Sequence, residues 1–169
     1  MLERVGTMDW ITTLGFIGPG LAEGLAAAGT TLGIAAATAT GIPVVAEDPG
    51  QRGRVFILAF LPMTQTLVYG FVYMFLMYYM ILPNILAKHG GALTPEIAGA
   101  VFGISLFVGL AEMVSAWMQG RVCGQAAAQL IKTKGGIFGT GIILAAYEEL
   151  FGILGMVFGL VIAFMVAGW

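Results

Sequence analysis

Four long apolar runs alternate with short polar stretches, and this alternation predicts the elements. The apolar runs cover residues 10–45, 55–87, 97–131 and 137–169. Each is longer than the roughly 20 residues a helix needs to cross the hydrocarbon core, and far longer than a barrel strand of about ten. The polar stretches are residues 47–54, with the turn signal Pro49-Gly50, residues 88–96, and residues 132–136. The pattern predicts an all-α protein of four transmembrane helices. Residues 1–87 form a first hairpin and residues 88–169 a second.

Within the runs, small residues recur at helical spacing. Gly20 and Gly24, Gly29 and Gly33, Gly99 and Gly103, and Gly120 and Gly124 are each four apart. Such spacing lets helix backbones approach closely in lipid. The string Gly20-Leu21-Ala22-Glu23 returns as Gly109-Leu110-Ala111-Glu112. Registering the second helix of each half on its polar centre sets Gln65 against Glu149 and Thr64 against Glu148. The chain therefore reads as a tandem duplication, with both halves running in the same direction.

Composition sharpens the class. The chain of 169 residues is 59% hydrophobic and 9% charged, and its mean hydropathy is +0.97. A soluble domain carries about 25% charged residues, so the expected location is the cell membrane, as a multi-pass protein in contact with lipid. The net charge of −2 does not suggest nucleic acid. The single cysteine, Cys123, forms no internal disulfide and is expected to be inert. His89 is expected to be a solvated loop residue. No cleavable signal peptide is expected; the first run is read as its own insertion signal. Arg52, Arg54, Arg121, Lys132 and Lys134 fall on one side and Arg4 and Lys88 on the other. The positive-inside rule makes the first and third loops cytoplasmic and puts both termini outside. Trp169 is expected as an interfacial anchor.

The polar residues inside the runs carry the chemistry. Glu148 and Glu149 are adjacent near the middle of the fourth run, where a charge costs roughly 2.5–3.5 kcal/mol on insertion scales. They differ by about 100° around the helix, so they need not share a task. In the second run Pro62 removes a backbone donor and leaves a carbonyl free for another partner. Leu61, Thr64, Gln65, Val68 and Tyr69 follow a three-four spacing that predicts one shared face. Gln119 lies in the third run, seven residues after Glu112 and nearly on its face. These groups are read as converging on one intramembrane cation site. Glu23 and Glu112 are read as carboxyls facing the interior of an assembly, with no assigned part.

Three motifs now carry a resemblance: Leu61-Pro62-Met63-Thr64-Gln65, Gln119-Gly120-Arg121-Val122 and Glu149-Leu150-Phe151-Gly152-Ile153-Leu154. With the two tandem hairpins they make the chain similar to the rotor-ring proteolipid of V-type and archaeal A-type ATPases, called subunit K or c. The resemblance extends over nearly the whole chain. It implies a closed ring of identical subunits, a membrane stator, and central-stalk subunits at the cytoplasmic loops. It implies no catalysis by this subunit itself, and no Gly-rich phosphate loop is present to hold a nucleotide. Sodium-translocating bacterial members imply ligation by the Leu61 carbonyl, Thr64, Gln65, Gln119 and Glu149. Tyr69 and Glu148 stand as auxiliary candidates. The family tyrosine corresponds to Val68 or to Tyr69, because the spacing differs by one.

The donor set favours sodium as cargo, with a proton as the alternative. A hard cation prefers oxygen ligands, one carboxylate makes the loaded site neutral, and a proton needs fewer partners. Two readings of other classes are a small proton-coupled membrane transporter and a structural membrane scaffold. The scaffold leaves Glu149 unexplained.

Overall fold

The computed structural model describes residues 9–169. Arg4, counted above for orientation, lies outside the described residues. Four helices, Trp10–Glu47, Pro49–Lys88, Pro95–Ala128 and Phe138–Val166, are long and apolar enough to cross a membrane. The ends differ from expectation by a few residues. The largest change is at the first polar stretch, expected as a loop over residues 47–54. Here the second helix starts almost at once, through a 3₁₀ turn at Pro49–Gln51. Asp48 makes this possible by accepting from Gly50 N at 2.9 Å and Gln51 Nε2 at 2.9 Å, which satisfies a backbone donor the helix start would leave open. The Gln51 amide, the Gly50 N–H and the nearby Arg54 hold the Asp48 carboxyl below the usual carboxylate range.

Helix starts elsewhere are capped as their sequences dictate. Asp9 accepts from Thr12 N at 2.8 Å, and Thr94 accepts from Ile97 N. The loop after the third helix closes with Lys134 and Gly135 at positive φ. Gly135 lies against the Arg54 guanidinium, so the first and third loops meet at one end of the bundle. At the other end Lys88 Nζ donates to the Ala167 carbonyl at 2.6 Å. Trp169 stacks on Phe164. The paired ends match the expected up-and-down order of the helices.

The first and third helices form the central pair. They touch backbone to backbone, and a Cβ on Gly120 would fall on the main chain of Gly33. No other residue fits there. Gly29, Gly33, Gly120 and Gly124 line this seam, whereas a Cβ at Gly24, Gly99 or Gly103 would meet nothing, so the close approach expected at the four-residue pairs is confined to those in the second half of the seam. The second and fourth helices lie outside this pair. They leave Phe56, Phe60, Phe71, Phe151, Phe158 and Met165 exposed, as a lipid-facing or neighbour-facing surface requires.

Two apolar clusters fill the bundle. One gathers Tyr73, Met77, Ile81, Val101 and Val108; the other gathers Ala37, Val55, Leu58, Cys123 and Leu130. Between them is a layer of buried polar groups: Gln65, Glu112, Ser115 and Gln119.

Candidate functional site

The second helix is not one regular helix, and its irregularities build the site. Pro62 has no N–H, so the α ladder fails around it. The chain takes a 3₁₀ turn at Leu61–Met63 and then a π-helix at Gln65–Gly70. A second π-helix, Met77–Ile81, precedes Pro83. Isolated π segments often mark functional sites. The loosened carbonyls find side-chain partners. The Pro62 carbonyl accepts from Thr30 Oγ1 at 2.7 Å, and Thr30 also pairs with Thr66 Oγ1 at 2.7 Å. The Leu61 carbonyl accepts from the Thr64 N–H and has Thr64 Oγ1 at 3.0 Å.

The π-helix also decides which of Val68 and Tyr69 turns inward. The i→i+5 bonding takes in one extra residue per turn. Tyr69, four residues after Gln65, thereby points at the fourth helix and donates to Glu149 Oε1 at 2.9 Å. Val68 is 46% exposed and faces outward. The single face expected for Leu61, Thr64, Gln65, Val68 and Tyr69 is therefore corrected: Val68 leaves it, because the predicted spacing assumed 3.6 residues per turn throughout.

The other sequence-derived candidates come together. Gln119 Nε2 donates to Glu149 Oε2 at 3.2 Å and to the Ala145 carbonyl at 3.2 Å. Gln65 Nε2 donates to Gln119 Oε1 at 3.1 Å and to Ser115 Oγ at 3.0 Å. Thr64 Oγ1 lies 3.1 Å from Gln65 Oε1. Leu61, Thr64, Gln65, Tyr69, Gln119 and Glu149 thus form one continuous network drawn from three helices. Gln65 and Gln119 are fully buried, whereas Glu149 is half-buried at the outer surface. The network presents carboxylate, hydroxyl, amide and carbonyl oxygens, the donor types a hard cation takes. Among the described residues no group of three His, Cys, Asp or Glu is clustered for a metal, so neutral oxygens must supply most of any coordination here.

Glu148 is not part of this network. Its side chain lines a separate groove with Phe107, Val114, Phe151 and Phe158, and only its carbonyl reaches inward, accepting from Ser115 Oγ at 2.6 Å. The rotation between adjacent helical residues separates the two carboxylates as expected. Ser115 is a member that sequence reading missed. The signal was present: Glu112, Ser115 and Gln119 recur at three and four residues and share a face. Glu112 departs from its expected place. It is 0% exposed and lies within the protein against Gly152 of the fourth helix, because a glycine there leaves room for its carboxylate.

Comparison with known proteins agrees with the duplicated architecture. Residues 17–77 and residues 102–165 each match the family of the ATP synthase C subunit. The A-type ATP synthase subunit K of Methanocaldococcus jannaschii is 31% identical over 149 residues, covering 88% of this chain and 61% of that relative. The chain thus spans less than two thirds of the relative's length.

Proposed function

The chain belongs to the family of ATP synthase C subunits, and from that premise we propose that it is a rotor-ring protein of an A/V-type ATPase whose cargo is sodium. Many copies close into a ring, since a heterologous interface that closes generates one. Each copy carries one ion on Glu149. A membrane stator supplies a cation and two aqueous half-channels, and ion exchange there turns the ring. The joined first and third loops meet the central stalk. Nucleotide hydrolysis or synthesis belongs to other subunits.

The observation that carries this reading is the bond pattern around Glu149. Both of its oxygens are bonded, one to Tyr69 and one to Gln119. The same two contacts fit an ionised carboxyl or a protonated one that donates to the Tyr69 hydroxyl, so the support for a metal cation lies in the further oxygens gathered beside it: the Leu61 carbonyl, Thr64, Gln65 and Gln119. The arrangement suits a carboxylate that meets a cation and is neutralised by it, which membrane depth favours. To hold the ion, the Gln119 amide rotates so that its oxygen, now on Gln65, turns toward it. The Thr64 hydroxyl and the Leu61 carbonyl lie on the adjacent turn.

Carbodiimide labelling tests the proposal, because the reagent attacks the protonated carboxyl. Sodium slows labelling of Glu149, and protection weakens as pH falls because protons compete for the carboxylate. Potassium protects less. Indifference to sodium identifies a proton-carrying ring, and labelling confined to Glu148 moves the carrier to its neighbour. A mass measurement on the solubilised particle tests the ring: many copies are expected, and a stable monomer or dimer removes the rotor reading.

A further inference from the structure

Glu23 and Glu112, which the Glu149 site does not use, occupy matching places in the two halves. Each closes the repeated Gly-Leu-Ala-Glu string, and each carboxylate lies against a glycine of the helix that follows. Glu23 Oε2 abuts Gly70, inside the π-helix. Glu112 Oε2 is 2.9 Å from where a Cβ of Gly152 would stand. In each half a carboxylate faces a glycine of the following helix, though the two glycines are not equivalent in the register of the halves. The two glutamates lie at one level of the paired first and third helices, where Gly109 packs on Ala22 and Gly29 on Met113.

Their surroundings are unusual for buried acids. Glu112 is 0% exposed, and neither of its oxygens has a hydrogen-bond partner; the buried Glu23 Oε2 has none either. Of the groups that face the pair, the Tyr69 hydroxyl is committed to Glu149. The Ser115 hydroxyl donates to the Glu148 carbonyl and accepts from Gln65. Glu149, on the fourth helix, adds a like charge and not a counter-charge. An isolated buried carboxylate is strongly unfavourable, and a buried acid proton needs an acceptor. Three orphaned oxygens from two helices meet neither need from within the chain.

We propose that Glu112 and Glu23 form a second cation site, separate from that of Glu149, which holds a small monovalent cation, sodium or a proton, between the two carboxyls. Two carboxylates and one sodium would leave a net negative charge, so one carboxyl keeps its proton when sodium is bound. When the cargo is a proton, both carboxyls are neutral. In either case the centre is uncharged when loaded, as its depth in the membrane requires.

The full-length protein, purified in detergent, tests this with radiosodium binding and with infrared spectra of the carboxyl C=O stretch. If sodium is the ligand, wild type binds two equivalents per chain. Glu149→Gln then keeps one, and adding Glu112→Gln or Glu23→Gln removes it. If a proton is the ligand, Glu149→Gln binds no sodium but shows a protonated-carboxyl band that fades as pH rises and is absent after Glu112→Gln. A Glu149→Gln chain that binds no sodium and has no pH-sensitive carboxyl band overturns the site. A second equivalent that survives Glu23→Gln overturns the pairing. Glu112→Gln alone should retain the equivalent belonging to Glu149. If it binds no sodium while Glu149→Gln still does, the fault lies in the reading of Glu149 and not in this one.

Discussion

The two hairpins match the same family, yet they contribute unlike parts to the bond network around Glu149. The second hairpin gives the charge, Glu149, from an unbroken α-helix of 29 residues, and the neutral Gln119 and Ser115 from another unbroken helix. The first gives neutral oxygens from a helix broken by a 3₁₀ turn and two π segments. The difference follows from where each oxygen comes from. A carboxylate carries its own acceptors, so a regular helix displays it without cost to the backbone. In a regular α-helix, a main-chain carbonyl is already occupied by the N–H four residues on. Pro62 breaks the ladder by withholding the N–H that Leu58 would accept, and the turn that follows leaves the Leu61 carbonyl accepting from the Thr64 N–H, with its second lone pair on the Thr64 hydroxyl and exchangeable for a ligand.

The severest way to break the comparison is to remove the charged half. Glu149→Gln is expected to abolish sodium binding at this site, a loss of roughly 3–5 kcal/mol if the ion pair behaves as other buried pairs do when one partner is removed. Radiosodium binding that falls by one equivalent per chain checks this. Gln65, its counterpart in the first hairpin by register, cannot substitute because it brings no charge.

Next comes the seam that joins the halves. Gly120→Ala places a Cβ on the Gly33 main chain, and the first and third helices must separate. Overpacking of this kind costs roughly 1–3 kcal/mol, measured as a lower unfolding temperature in detergent. Gly99→Ala is the matching control, since a Cβ there meets nothing within 4 Å. It also separates two positions that look alike in the sequence: both glycines belong to a four-residue pair, but only one is at the seam.

That pair shows what the chain discloses on its own. Helix number and order are readable from hydropathy, because lipid imposes a length rule that acts locally. Glu149, Gln119, Thr64 and Gln65 are readable because polar groups at membrane depth stand out. Three things are not. The π-helix cannot be seen from spacing, since periodicity arguments assume one pitch, and so they put Val68 on the wrong face. Ser115 escapes notice because a serine in an apolar helix is common and its worth depends on what lies opposite. The burial of Glu112 depends on Gly152 of another helix, a contact between residues that are distant in the chain.

The irregular half can be tested by mending it. Pro62→Ala restores the missing N–H and favours a continuous ladder past Leu61. Sodium affinity is expected to fall by roughly 1 kcal/mol, the net worth of a single such contact, while the helix itself becomes no less stable. Sodium protection of Glu149, compared with the unfolding temperature of the same variant, reads the two effects separately. Unchanged affinity would mean that the break in the ladder does not contribute the Leu61 oxygen.

The smallest effect concerns two tyrosines on the same helix. Tyr69 and Tyr73 each spend a hydroxyl on one bond: Tyr69 on Glu149 at 2.9 Å, Tyr73 with Ser105 Oγ at 2.9 Å. Tyr73 is fully buried in an apolar cluster, so removing its hydroxyl strands Ser105 only in part, since that serine also donates to the Val101 carbonyl. Tyr69→Phe removes the hydroxyl that bonds Glu149. It should weaken sodium protection by about 0.5 kcal/mol, near the low end for a net hydrogen bond, or roughly twofold in affinity, and it should leave unfolding nearly unchanged. Tyr73→Phe should do the reverse, lowering the unfolding temperature slightly and leaving sodium protection intact. The Tyr69 effect is small because Gln119 still bonds the other oxygen of Glu149 and the ion supplies most of the compensation. Equal effects of the two substitutions on sodium protection would place Tyr69 among the packing residues and leave Glu149 oriented by Gln119 alone.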